Sequence, residues 1–132
     1  MCDCLFCEII KGNVPCFKIY EDTKTIVFLA PEHDVDGHMV VISKLHCKNI
    51  LDCEEKTSHS FIDTVKAVSQ HCVNNCGYDG VNILNASDES AGQSVHHLHF
   101  HIIPRKNGDS IDAWPVMHSH KYTLDEMQKK LK

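Results

Sequence analysis

No apolar run in this 132-residue chain is long enough to cross a bilayer, since a spanning helix needs about 20 consecutive apolar residues. The N-terminus lacks the basic-then-apolar order of a secretory signal, so a cytoplasmic protein is expected. Positive charge is also scarce. Lys and Arg number 13 against 18 Asp and Glu, giving a formal net charge of −5. No Lys/Arg run exceeds two residues, Lys129-Lys130 near the C-terminus being one. The chain therefore carries no electrostatic footprint for nucleic acid or an anionic membrane, and neither is an expected partner. A single nucleotide stays open, because a small site holds phosphate on neutral donors. Repeats and low-complexity segments are absent. The length suits one domain, 1–132, around a single core.

Cysteine, by contrast, is plentiful at eight residues. An even count fits a secreted disulfide framework, but the missing signal argues against one and for reduced thiols. Cys4-x-x-Cys7 has metal-ligand spacing, although no second Cys-x-x-Cys accompanies it. Alone it reads equally as a redox pair or as two core cysteines. Cys72 and Cys76 lie one helical turn apart and read as a buried pair at a helix end. Cys2, Cys16, Cys47 and Cys53 suggest no role.

Hydrophobic spacing gives the elements. Phe6, Ile9 and Ile10 predict a short helical turn, ended by Gly12-Asn13 and barred from continuing by Pro15. Residues 17–20 and 25–29 read as a hairpin, and 38–42 as a third strand. The main helix is expected over 52–75, with Phe61, Val65, Val68 and Cys72 as its buried stripe and Gly77 as its stop. Strands follow at 81–84 and 95–103, separated by a turn-rich loop over 85–91. A terminal helix begins at Thr123, with Glu126 at the capping-box position. The pattern predicts an α+β domain with a mainly antiparallel five-stranded sheet, one long helix and short terminal helices.

The most informative stretch is Gly92-Gln93-Ser94-Val95-His96-His97-Leu98-His99-Phe100-His101-Ile102-Ile103. Side chains alternate faces along a strand. His97, His99 and His101 therefore share one face, and Leu98, Phe100 and Ile102 the other. Like charges repel, so the imidazoles favour neutral forms. A half-exposed strand with polar residues toward water is the plain structural reading, but chance seldom repeats histidine three times at this period. Two chemical readings follow: imidazoles around a metal, or a nucleophilic histidine with histidine neighbours. Gly92 permits close backbone approach, and Gln93 and Ser94 are donors that suit phosphate better than a bare metal ion.

These residues resemble the signature of the histidine triad (HIT) nucleotide hydrolases and transferases, His-φ-His-φ-His-φ-φ with φ apolar. The opening Leu5-Phe6-Cys7-Glu8-Ile9-Ile10-Lys11-Gly12 and the segment Gly37-His38-Met39-Val40-Val41-Ile42-Ser43-Lys44-Leu45-His46 extend the resemblance over nearly the whole chain. It is greatest to the short, Hint-like bacterial and archaeal branch. The resemblance implies a homodimer and a hydrolase that cleaves purine nucleoside phosphoramidates (AMP- or GMP-like) or related 5′-phosphoric anhydrides. His99 would be the nucleophile, its other nitrogen fixed by a main-chain carbonyl near the first triad histidine. His101, Gln93 and Ser94 would contact phosphate, with His38 and His97 completing the row and Asn85 touching sugar or phosphate. Phe6, Ile9, Val14, Phe28 and Leu29 match apolar base-pocket positions, which read equally well as core. Cys4, Cys7, His46 and His97 match a zinc set that would be structural and would withdraw His97 from acid–base duty; the chemical step would need no metal. Ala30 departs from the family, which has a ribose-binding acid after Phe-Leu. Weak ribose recognition is expected, unless Glu32 or Asp34 supplies the carboxylate. The rival class is a nucleotide-binding or scaffolding protein with weak residual catalysis.

Overall fold

The computed structural model describes residues 4–132; Cys2 lies outside them. The elements are α1 (Leu5–Ile10), β1 (Lys18–Glu21), β2 (Thr25–Leu29), β3 (Met39–Ser43), α2 (Glu55–Asn75), β4 (Gly80–Leu84), a 3-10 turn (Glu89–Ala91), β5 (His99–Arg105) and α3 (Leu124–Leu131). The strands form one sheet in the order β1-β2-β3-β5-β4, and every neighbouring pair is antiparallel. This is the expected α+β architecture.

Alternation explains why the central strands read as unbroken apolar runs. Val27, Met39, Val41, Leu98 and Ile102 pack toward α2, against Phe61, Val65, Val68 and Cys72. Ile26, Phe28, Val40 and Ile42 point the other way, onto Phe6 and Ile9 of α1. Each face of the sheet thus has its own cover, and β2 and β3 have no polar side. Phe61 and Phe28 are fully buried, and each such side chain contributes about 1.5–3 kcal/mol. Thr123 and Glu126 form the reciprocal capping box predicted for α3. Among the described residues no helix is long and apolar enough to cross a membrane.

Several boundaries shift for local reasons. The last strand starts at His99 and runs to Arg105, later at both ends than 95–103. Before His99 the backbone is spent elsewhere: the His97 N–H donates to Val95 O and the Leu98 N–H to Cys47 O. His97 therefore precedes the strand, although it keeps the facing that alternation predicts. Pro104 is tolerated because the β3 ladder has already ended at Met39–Ile102, leaving Pro104 paired only with Val81. The long helix begins at Glu55, not 52. The Asp52 carboxylate instead accepts from the Lys48 and Asn49 N–H groups and closes the preceding turn. β3 begins at Met39, one residue after His38. Gly37, at φ +82°, turns the chain into it; a Cβ there would lie 3.1 Å from Tyr78 Oη and 3.2 Å from Pro104 Cγ.

Candidate active site

The N-terminal turn, the β3 entry and β5 bring four histidines onto one face of the sheet. Phe6 is the wedge between them and the core. Its ring meets Phe28, His97 and His99 edge-on, with centroids 5.9, 5.9 and 5.0 Å away. The His99 and His101 rings are 5.2 Å apart, and those of His38 and His101 are 5.0 Å apart.

Hydrogen bonds fix the tautomers, because a carbonyl can only accept. His99 Nδ1 lies 2.7 Å from the His97 carbonyl and so carries the proton, leaving Nε2 bare. That carbonyl is the tautomer-fixing group the sequence resemblance implies. His97 Nε2 lies 2.6 Å from the Ser43 carbonyl. It too must donate, so His97 Nδ1 is the bare nitrogen. Burial pushes the pKa of both rings below the ordinary histidine value. The same desolvation, reinforced by His99 and His38, takes His101 down to about 4. At neutral pH the His97, His99 and His101 rings are thus neutral, which a nucleophilic or ligating imidazole requires.

The bare Nδ1 of His97 points into a second cluster. Cys4 Sγ is 3.3 Å and Cys7 Sγ 3.5 Å from it. His46 Nδ1 lies 3.1 Å from His97 Nδ1, 3.5 Å from Cys7 Sγ and 4.0 Å from Cys4 Sγ. All four donor atoms fall within 4.8 Å of one another. Tetrahedral zinc, with bonds of about 2.0–2.1 Å to nitrogen and about 2.3 Å to sulfur, spaces its ligands about 3.3–3.8 Å apart. The spacings of 3.1–4.0 Å bracket that range, and two cysteine sulfurs with two imidazoles are a donor set suited to the metal. Local structure explains how α1 presents its sulfurs. Cys4 is the N-cap, and its sulfur accepts from the Cys7 N–H at 3.2 Å.

Beside the histidine row opens a mainly apolar cavity of about 700 Å³. Of the five apolar residues that the resemblance gives to a base pocket, Ile9, Val14 and Leu29 line this cavity; Phe6 and Phe28 do not, and belong to the core behind it. Ala30 and His38 complete the lining near the row.

Two residues are placed differently from the sequence expectation. Gln93 is buried, and its amide is consumed internally. Nε2 donates to the carbonyls of Lys48 (2.7 Å) and Val95 (2.9 Å), while Oε1 accepts from the Asp88 N–H (2.8 Å) and Asn49 Nδ2 (3.1 Å). Gln93 is therefore a brace for the loop that carries the exposed Ser94. Asn85 Nδ2 donates to the His99 carbonyl at 3.1 Å, fixing the backbone of the row. Sequence reading missed Asn49, which ties Asp88 to Gln93, and the Asp34–His38 contact at 2.6 Å. Asn49 has no local signal, since its role depends on which loops meet, and the Asp34–His38 contact depends on the turn at Gly37.

This chain resembles known proteins of one family. The family model described as HIT domain matches residues 11–108. The Bacillus subtilis protein named Protein hit is 35% identical over 127 residues, which cover 96% of this chain and 88% of the relative. Adenosine 5'-monophosphoramidase HNT1 of Saccharomyces cerevisiae is 29% identical over 130 residues, 97% of this chain and 80% of the relative. Among solved structures, a zinc-bound histidine triad family protein from Mycobacterium smegmatis matches with a TM-score of 0.78 and 30% identity, covering 84% of this chain and 81% of that one.

Proposed function

This chain belongs to the HIT family, and on that premise we propose that it is a nucleotide hydrolase acting on purine nucleoside phosphoramidates or related 5′-phosphoric anhydrides. The observation that carries the reading is the His99 tautomer. Its Nδ1–H is held by the His97 carbonyl, so Nε2 is an unprotonated nucleophile before any substrate arrives. In the proposed reaction Nε2 bonds to the 5′-phosphorus and the amine or phosphate leaves. Water then cleaves the nucleotidyl-histidine, releasing the nucleoside monophosphate. Ser94 and the backbone amides near Ser94 and Val95 stabilise charge on the phosphate oxygens, and His101 serves the same oxygens. Gln93 and Asn85 act by holding the loop and the strand in place. The nucleoside occupies the apolar cavity.

Zinc is the metal we propose for Cys4, Cys7, His46 and His97. Bound there, it supplies a cross-link between α1 and the chain leading into β5, and the reaction runs on the histidines alone. A cytoplasmic location belongs to the same proposal, since thiol ligands need a reducing compartment. So does a homodimer: edge strand β4 leaves Ile83 45% exposed, and joining two sheets at that edge would bury it. The second reading, a nucleotide-binding or scaffolding protein with weak residual catalysis, draws on Ala30, where a cavity wall offers ribose no acceptor. Turnover separates them. His99→Ala is expected to reduce single-turnover cleavage of an adenosine phosphoramidate by at least about a hundredfold while nucleotide affinity is kept. Comparable rates in wild type and variant would sink the hydrolase reading.

A further inference from the structure

One hydrogen-bond chain leads out of the histidine row to the surface. The Asp34 carboxylate lies 2.6 Å from His38 Nδ1, and His38 Nε2 lies 2.9 Å from His101 Nδ1. The His38 contact holds Asp34 below the usual carboxylate range, so Asp34 is ionised at neutral pH. A carboxylate only accepts. His38 Nδ1 therefore keeps its proton whether the ring is neutral or charged, and any proton His38 gains or gives up moves at Nε2, the nitrogen facing His101. One proton sits between the two rings. When it lies on His101, Nε2 of His101 is bare and accepts. When it lies on His38, that ring is an imidazolium paired with Asp34, and His101 holds one further proton at Nε2, which it donates; the two states differ by that proton, taken up or released at His101 Nε2. No side chain has to move between the two states. The other charged or titratable groups acting on His101 are His99, with its ring 5.2 Å away, and the Glu32 carboxylate.

We propose that Asp34, His38 and His101 form a proton relay for the leaving group and the attacking water, with Asp34 as the positioning residue. The proposal rests on the hydrolase reading above. In the first half-reaction His99 Nε2 bonds to phosphorus, and the P–N bond breaks with its electron pair on the amine nitrogen. That nitrogen takes a proton from His101 Nε2, and His101 Nδ1 takes one from His38 Nε2. His38 ends neutral, its Nδ1–H still on Asp34. In the second half-reaction water oxygen bonds to phosphorus and the P–N bond to His99 breaks, returning the pair to Nε2. The water proton passes to His101 Nε2, and the Nδ1 proton of His101 returns to His38. The relay is restored, and the net change is transfer of one water proton to the amine.

Asp34 suits the test because its side chain is 58% exposed and outside the core. Full-length wild type, Asp34→Ala and Asp34→Asn are compared on two substrates: an adenosine 5′-phosphoramidate of an alkylamine, and the p-nitrophenyl ester of AMP. The amine must be protonated to leave; the nitrophenolate need not be. Asp34→Ala is expected to lower the single-turnover rate of nucleotidyl-His99 formation from the amine substrate on the order of tenfold or more and to spare its formation from the ester, while water attack slows alike for both. Asp34→Asn should recover part of the loss, since its Oδ1 still accepts from Nδ1–H. Equal losses of the nucleotidyl-His99 formation rate on both substrates, or none on either, would overturn the relay while leaving the hydrolase standing. Wild type that cleaves neither substrate would mark failure of the hydrolase reading, and the relay's task with it. Nitrogen-15 NMR of labelled histidines adds a readout that does not use turnover. It should show a proton on Nδ1 of His38 in wild type and a shift toward the Nε2–H tautomer in Asp34→Ala. A neutral wild-type His38 protonated at Nε2 alone would overturn the proposal.

Discussion

Replacing Gln93 by alanine tests whether this residue holds the loop or the substrate. The wild-type side chain is only 5% exposed and makes four hydrogen bonds, two as donor and two as acceptor. A net bond contributes about 1 kcal/mol, and a buried group left without a partner costs more. Asn49 Nδ2 keeps its Asp88 contact, and water entering the vacated space re-solvates some of the orphaned groups. The expected loss is about 2–4 kcal/mol of folding stability. Asp88 adds a second consequence. Its backbone, at φ 72° and ψ 167°, occupies a region that is nearly restricted to glycine, a strain of about 1–3 kcal/mol. The Gln93 acceptor on its N–H, together with Asn49 and Lys48 on its carboxylate, holds it there. Without the brace the loop relaxes and Ser94 moves, so kcat should fall along with stability. Gln93→Glu should be at least as damaging, because an ionised carboxylate cannot donate to the Lys48 and Val95 carbonyls. Urea unfolding gives the stability change, and phosphoramidate kinetics give kcat and KM. An alanine variant within about 0.5 kcal/mol of wild type, with a strongly raised KM, would show that the amide serves substrate and refute the brace.

Three further outcomes are expected. Cys4→Ser combined with Cys7→Ser should remove stoichiometric zinc and lower the melting temperature, with a smaller effect on single-turnover rate; reduced wild type that neither holds zinc nor gains thermal stability from added zinc would contradict the site. Ala30→Asp should raise affinity for AMP over 2′-deoxy-AMP by about tenfold or more, since charge-assisted hydrogen bonds contribute about 1.5–3 kcal/mol; a strong wild-type preference for AMP that the variant leaves unchanged would mean that Glu32 or another acid already holds the ribose. The third concerns pH. His101 titrates at about 4 when folded, against 6.5 for the ordinary group, so between those values the unfolded chain binds more protons. Its contribution to stability is complete above about pH 6.5 and is lost as pH falls toward 4. His101→Gln should flatten the fall of the urea midpoint over that window, and an unchanged slope would count against the burial of this ring.

What the sequence disclosed follows the range of the interactions involved. The α2 stripe, the α3 capping box and the facing of His97, Leu98, His99, Phe100 and His101 are set by neighbours within a turn or along one strand. The start of β5 is different. It depends on Cys47, whose carbonyl takes the Leu98 N–H, and no local pattern announces a partner some fifty residues away. Gln93 illustrates the same limit at the site. As a residue type it reads as a donor to phosphate, but the meeting of the Lys48–Asn49 turn with the Asp88 loop consumes its amide. Phe6 and Phe28 were legible as apolar and not as wall or core, because that depends on how α1 lies on the sheet. The Asp34–His38 pair is close in sequence, but only the turn at Gly37 aims one at the other.

The central claim is that His99 Nε2 attacks phosphorus. Its most direct test is rapid acid-free quenching of wild-type protein mixed with an adenosine phosphoramidate, followed by intact-mass and peptide mass spectrometry. An adduct of one adenylyl group on the peptide carrying His99, located to that residue by fragmentation and absent from His99→Ala, is the expected result. Product release by wild type with no adduct at any time point, or an adduct on His97 or His101 instead, would contradict it.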